Sequence, residues 1–590
     1  MRLPLGPALG LLVMIAAGCS DSPSLTSDQR GSAALPQDVL VLETEGRQGG
    51  TLDYALASEP ATFNFLAARD SRSKLVTYLT TATLLEFDPV KQDIQGGITR
   101  DWSVSADGTE ITLHLRRGVN FSDGRPLSAE DVAFTFEKIY EEGSSNALRD
   151  TLLMGGKPLH LTVVDSHTVK IRFPERYAAA EYLLTTVPIL PRHHFTEAGK
   201  KIEEHWTLGT SPQQMAGLGP FVLQAHYPGQ STVYAHNPHY WKVDQGGTRL
   251  PYLDQLVIHY VEDRNNQLLR FQNGQVDLLD RYLRPEDNLQ LQETGGEHIE
   301  VHNAGPSDEL YFFWFNLNTG KHPQTGKPYL SPQEKDWFGN LKFRQAVSTA
   351  ISRDTIVRNI FLGQARPAWG LVPNSIPRWH APDARQYHYN QDQARSWLRQ
   401  AGFSWRQNGA REVLVDSKGR PVRFELLTRS DDVFAKIASI VQQDLEEMGM
   451  QVTLRQEEFR SALSRIMGSY DYDASILKIG FPIDPSDHMN VLSSSAEMHM
   501  WHPNQPQPAT EWERRIDSLM RQQMTSLDQE QRRRIYREVQ HIMAEQLPII
   551  PLVNADVFIA HKSRLKSLHP THLFPQGLAN VWELWLEELP

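Results

Sequence analysis

Between Ala106 and Tyr140 the order of apolar and polar residues specifies a strand, a turn and a helix. Ile111, Leu113 and Leu115 alternate with Thr112, His114 and Arg116, the period of a half-buried strand entered from the tight turn Asp107-Gly108. Gly118 interrupts the strand, Val119 and Phe121 resume it, and Ser122-Asp123-Gly124 turns the chain before Pro126. Ser128 and Asp131 have capping-box spacing, and Val132, Phe136, Ile139 and Tyr140 follow at helical intervals, so a helix is predicted from Ser128.

The same periods divide the rest of the chain. Helical stripes are predicted over Ser73–Leu85, Phe343–Phe361 (a helical pair), Gln391–Ala401 with Gly402 as its stop, Trp512–Met524 and Gln529–Glu545. Leu161–Phe173 alternates as a strand, Gly217–Tyr240 reads as a hairpin turning near Gly229, and Leu250–Asp277 as a strand followed by a helix. Leu310–Asn318 is the most apolar strand after the N-terminal leader, and Ser331-Pro332-Gln333-Glu334 is a capping box with proline at the first helical position. Strands Arg423–Thr428 and Val452–Gln456 flank a helix over Asp432–Met448, an alternation that predicts a βαβ unit with parallel pairing. The pattern is that of a large α/β protein.

At 590 residues the chain exceeds one ordinary core, so two or three domains are expected. A formal charge of -12, with no basic stripe, argues against nucleic acid as a partner. Beyond the leader no apolar run approaches the roughly 20 residues of a membrane span. Cys19 is the single cysteine, which excludes an internal disulfide. Arg2, the apolar run Leu3–Ala17 and the small residues Ala16-Ala17-Gly18 before Cys19 form a secretory leader that resembles a bacterial lipobox. Lipidation of Cys19 is therefore expected, with residues 1–18 removed and 19–48, rich in Ser, Asp, Gly and Pro, serving as a flexible tether.

Catalytic patterns are missing. The sequence holds no G-x-S-x-G elbow, no phosphate loop ending in Gly-Lys-Ser/Thr, and no H-E-x-x-H. Met498-His499-Met500-Trp501-His502 is the best metal-like cluster, with His193-His194 and Tyr387-His388-Tyr389 weaker; surface or cleft-lining roles are expected for them, and no metal or other cofactor.

Residues Asp101–Phe136, DWSVSADGTEITLHLRRGVNFSDGRPLSAEDVAFTF, resemble the signature of the family 5 extracellular solute-binding proteins, and further matches run from about Gly49 to the C-terminus. The resemblance implies a two-lobed, class II periplasmic-binding-protein-like α/β fold with mixed sheets and a hinge. It implies lobe I over 49–88, 217–309 and 548–590, an accessory domain of lobe I over 89–216, and lobe II over 310–547. It implies no enzyme but a receptor, monomeric, on the periplasmic or cell-surface side of a bacterial membrane. That receptor closes on a peptide or peptide-like solute and delivers it to an ATP-binding-cassette permease. The alternatives are a receptor for a non-peptide solute (oligosaccharide, opine or metal chelate) and a sensory or chaperone protein of the same fold. By resemblance the ligand-facing candidates are Arg69, Asp70 and Ser71; Trp314, Asn316 and Asn318; and Lys478, Phe481, Asp484 and Trp501. Peptide-binding members carry an aspartate three residues before the acidic-Pro pair to hold the ligand's α-ammonium. Here the pair is Asp484-Pro485 and that position is Phe481, so ligands other than ordinary peptides stay open.

Overall fold

A computed structural model of the chain describes residues 34–143, 146, 148–195, 201–280, 283–322 and 324–587. The leader 1–18, Cys19 and residues 20–33 of the expected tether lie outside the described residues. The remainder of the tether, 34–48, is not free of the folded body. Its strand Leu40–Leu42 pairs in parallel with Lys242–Asp244, and the carboxylate of Asp38 accepts the Arg117 N–H at 3.0 Å. Low local periodicity hid a segment that is held by partners far away in sequence.

The Ala106–Tyr140 module forms as its pattern requires. Glu110–Leu115 is a strand with Ile111, Leu113 and Leu115 buried, and Ala129–Tyr140 is a helix burying Val132, Phe136 and Ile139. The Asp131 carboxylate accepts both the backbone N–H and the hydroxyl of Ser128 at 2.9 Å, fixing the helix entry. The strand lies within a four-stranded sheet, between Thr99–Val104 and Thr168–Arg172, with His160–Asp165 at the edge. Leu161–Phe173 is thus a hairpin rather than one strand, because Ser166-His167 turns the chain between two pairing halves.

The helix expected over Ser73–Leu85 runs instead over Ser71–Thr80. Asp70 caps it by accepting the N–H groups of Arg72 and Ser73. Its C-terminal end is met by Gly219, whose N–H donates to the Thr80 carbonyl at 3.1 Å. A side chain at Gly217 would sit 1.9 Å from that carbonyl oxygen, so only glycine permits the approach.

One large sheet runs through the molecule. Its order is Phe221–Tyr227, Ser231–His236, Gln255–Tyr260, Thr51–Leu56, Leu278–Leu279, Ile550–Lys562, Glu309–Phe315, Ala474–Gly480, Arg423–Arg429 and Gln451–Glu457. The last two pair in parallel across the helix Asp432–Glu447, the expected βαβ unit. Ile550–Lys562 belongs to both halves. Its second half pairs with Ile299–Pro306 and its first half with Glu309–Phe315 and Ala365–Pro367.

The continuous apolar run in Glu309–Phe315 has a simple cause. Tyr311, Phe313 and Phe315 face one core with Phe338, Phe343 and Phe424, whereas Leu310, Phe312 and Trp314 face another with Trp379, Trp501 and Tyr536. A strand buried on both faces needs hydrophobic residues at every position. On the other side of the crossover, Leu52, Ile111, Val132, Leu256 and Ile559 share one apolar core, so the 89–216 segment packs continuously onto the first lobe. Among the described residues no helix is long and apolar enough to cross a membrane.

Candidate functional site: the crossover and the seam between lobes

The chain crosses between lobes at Pro306–Glu309 and again near Asn554 on the long strand. Asn554 is 3% exposed and pins the two crossings together. Its amide donates to the carbonyls of Ser307 (2.9 Å) and Glu309 (2.7 Å), while the Ser307 N–H donates to the Ala555 carbonyl at 2.9 Å. Beside this pin lies a cavity of about 190 Å³ whose lining includes Leu310, Arg366, Trp369, His380, Gln386 and Asn554.

A second cavity, of about 180 Å³, is lined by Tyr54, Leu56, Ser71, Arg72, Phe574 and Gln576 among others. It sits at the carboxyl end of Thr51–Leu56, which pairs in parallel with Gln255–Tyr260, and such ends are where ligands settle in α/β sheets. Next to it the Asp280 carboxylate accepts the Tyr54 hydroxyl at 2.8 Å and the Gly577 N–H at 3.2 Å.

The lobes also meet away from the crossover. Tyr177 engages the Ser486 hydroxyl, and Tyr182 engages the Ile483 N–H; burial first, then Asp487 and Asp484, push both phenols up. Asp487 is itself pushed up to about 6 by burial and by Asp484. Nearby, the Ala178 N–H donates to the Met524 carbonyl at 2.7 Å and the Gln92 amide to the Ser375 carbonyl at 2.8 Å.

Against this frame the sequence candidates separate. Ser71 lines the second cavity. Arg69 is exposed, and Asp70 is the helix cap already described. Trp314 is fully buried and donates its indole N–H to the Tyr472 hydroxyl at 3.2 Å. Asn316 donates to the carbonyls of Tyr470 and Tyr472 and accepts the Asn318 N–H, and Asn318 in turn accepts the Gly320 N–H. Both amides hold a loop rather than a cavity wall. Lys478 pairs with Glu309 at 2.5 Å. Phe481 is 4% exposed and packs edge-on against His488, with ring centroids 4.9 Å apart. Asp484 pairs with buried Arg532 at 2.6 Å. Trp501 is buried, and its indole donates to Glu513 at 3.2 Å.

Within the 498–502 cluster His499, Met500 and Trp501 are buried, while Met498 and His502 are partly exposed. His499 is fully buried, with Nδ1 2.9 Å from the Val491 carbonyl and Nε2 3.4 Å from Glu513. Burial pushes His502 down to about 4. Tyr54, Arg72, Asp280, Asn554 and Gln576 had no local signal, since segments more than 200 residues apart assemble their surroundings.

Two lobes joined by paired crossings, with polar groups meeting across a seam, form a two-lobed periplasmic-binding-protein-like fold. The profile described as "Bacterial extracellular solute-binding proteins, family 5 Middle" matches residues 93–499, and the chain belongs to that family. It is a solute-binding protein of the kind that serves ATP-binding-cassette importers. The chain is 26% identical to a probable ABC transporter-binding protein of Deinococcus radiodurans, over 90% of this chain and 93% of that one. It is 24% identical to the oligopeptide-binding protein AppA of Bacillus subtilis, over 98% and 97% of the two chains. The solved structure of AppA with a nonapeptide superposes with a TM-score of 0.69 at 21% identity, over 92% of this chain and 100% of that one. The stachyose complex of MelB from Agrobacterium fabrum superposes with a TM-score of 0.71 at 18% identity, over 94% and 88%.

Proposed function

We propose that the chain captures a peptide or peptide-like solute between its lobes, closes by bending at Pro306–Glu309 and near Asn554, and hands the solute to a permease. Lipidated Cys19 would tether it to the outward side of a bacterial membrane. The observation that carries this reading is the shared strand Ile550–Lys562: the lobes are continuous through one strand and one short link, so they can rotate without unpairing either sheet half. Oligopeptide binding by AppA supports a peptide. No catalytic constellation is needed, because the transporter reads the difference between open and closed forms.

Phe481 bears on the ligand. It stands where peptide-binding members place an aspartate, and it packs into the second lobe's core instead of presenting a carboxylate. Binding should therefore not depend on a free α-amino group. Mass spectrometry of solute released from freshly purified protein identifies the ligand class. If a peptide is recovered, calorimetry should show that its N-acetylated form binds within about tenfold of the free form. A loss of about 3 kcal/mol or more, the scale of an unpaired buried charge, overturns independence from the α-amino group. Recovery of a saccharide, with no saturable peptide binding, replaces the peptide reading by an oligosaccharide one, as the MelB complex illustrates for that protein.

The anchor is tested separately. Cys19→Ala should move the protein from the membrane to the soluble fraction, since two or three acyl chains supply roughly 0.8 kcal/mol per buried methylene. Full membrane retention of the variant overturns the anchor.

A further inference from the structure

Glu300 and His302 on the strand Ile299–Pro306 converge with His561 on the long strand. Antiparallel register sets Glu300 opposite His561, and His302, two residues on, shares the same sheet face. The Nε2 atoms of His302 and His561 lie 2.9 Å apart, with ring planes within 3° of parallel. Glu300 Oε2 is 3.8 Å from the first and 3.7 Å from the second.

Tautomer decides what this pair can do. His561 Nδ1 is 2.8 Å from the Lys562 carbonyl, an acceptor, so Nδ1 carries the proton and Nε2 presents its lone pair. A ring nitrogen fixed by a backbone carbonyl, with the other turned toward a second imidazole and a carboxylate, is the outer-shell arrangement of a metal-ligating histidine. With metal–nitrogen bonds of about 2.0–2.1 Å, nitrogens 2.9 Å apart subtend an angle of about 90° at a shared ion. That angle suits tetragonal or octahedral ions, and a few tenths of an ångström of opening suits tetrahedral zinc. Glu300 is exposed and His302 partly exposed, so water can complete the coordination sphere. The nearby ammonium of Lys566 is paired with Glu587 at 3.2 Å.

The other histidine cluster differs. His193 and His194 both direct Nε2 at one oxygen of Asp123, at 2.6 and 3.0 Å. There each Nε2–H has a carboxylate oxygen as acceptor, whereas His302 Nε2–H has, among the described residues, only the imidazole of His561 to donate to, a contact that an ion replaces once His302 carries its proton on Nδ1.

We propose that Glu300, His302 and His561 form a site for a late first-row divalent cation, Ni²⁺ or Zn²⁺, which ties together the two strands that lead into the crossover. None of the three lines the cavities beside the crossover or at Tyr54, so the site stands apart from the solute-binding reading. The test is calorimetric titration of NiCl₂ and ZnCl₂, each alone, into the full mature chain with any purification tag removed. One equivalent should bind. His302→Ala and Glu300→Gln, at a partly exposed and an exposed position, should fold readily and weaken binding by about tenfold or more, and His194→Ala should leave it unchanged. The absence of saturable binding, an unchanged affinity in His302→Ala, or its loss in His194→Ala would each overturn the proposal.

Discussion

Arg532→Ala is expected to destabilise the second lobe by about 3–5 kcal/mol, the range for breaking a buried ion pair from one side. The guanidinium is 3% exposed and stands 2.6 Å from the Asp484 carboxylate. It also donates to Gln523 Oε1 at 3.0 Å and to the Gln523 carbonyl at 3.1 Å, and it lies over the Trp379 ring at 5.0 Å. Without it Asp484 keeps, among the described residues, the Ser486 N–H, at 2.9 Å, inside a site that also buries Asp487. The carboxylate then has no compensating charge. Replacing both partners by neutral groups, in Asp484→Asn with Arg532→Met, should recover most of the loss, because the desolvation penalty disappears along with the attraction. Urea unfolding of the native chain, Asp484→Asn, Arg532→Met and the double variant, followed by tryptophan fluorescence, gives the coupling energy. A loss below about 1 kcal/mol in Arg532→Ala would place the pair with ordinary surface bridges and contradict its burial.

The pair also explains why Asp484 looks functional in sequence. It adjoins the seam, since Ile483 and Ser486 meet Tyr182 and Tyr177, yet its carboxylate is consumed by Arg532. The acidic-Pro motif thus shapes the turn Pro485–His488 that presents its neighbours to the first lobe.

Where local rules govern, the sequence was readable in detail. Ser128 with Asp131, Ser331 with Glu334, and Gly402 at φ +87° all do what their spacing predicts. The βαβ unit followed from its alternation alone. Aromatic residues were harder to read, because a tryptophan in a binding wall and one in a core look alike along the chain. Trp314 and Trp501 proved to be core, and Trp314 sits on a strand buried from both sides. The pin at Asn554 lies 247 residues from Ser307, and His561 lies 259 residues from His302, so neither arrangement leaves a local period to find. Non-local assembly, more than weak propensity, set the limit.

Glu513→Gln should cost about 3 kcal/mol at neutral pH and almost nothing near pH 2. Burial pushes the Glu513 carboxyl up, but hydrogen bonds from His499, Gln505, Thr510 and Trp501 outweigh it and hold the group down to about 2. The distances are 3.4 Å to His499 Nε2, 2.9 Å to Gln505 Nε2, 2.8 Å to the Thr510 hydroxyl and 3.2 Å to Trp501 Nε1. An amide can accept at its oxygen, but its NH₂ must face donors such as the Thr510 N–H, at 2.9 Å in the native chain. A carboxyl pKa lowered from the ordinary value near 4.3 to about 2 corresponds to about 3 kcal/mol of stability. Because the folded value is the lower one, that stability is fully present above about pH 4.3 and is lost as pH falls through about 2. Native and variant denaturation midpoints should therefore differ at pH 7 and converge on the acid side. A difference that stays constant from pH 7 to pH 2 would mean that packing, and not the carboxylate's charge, holds the 498–513 segment in place.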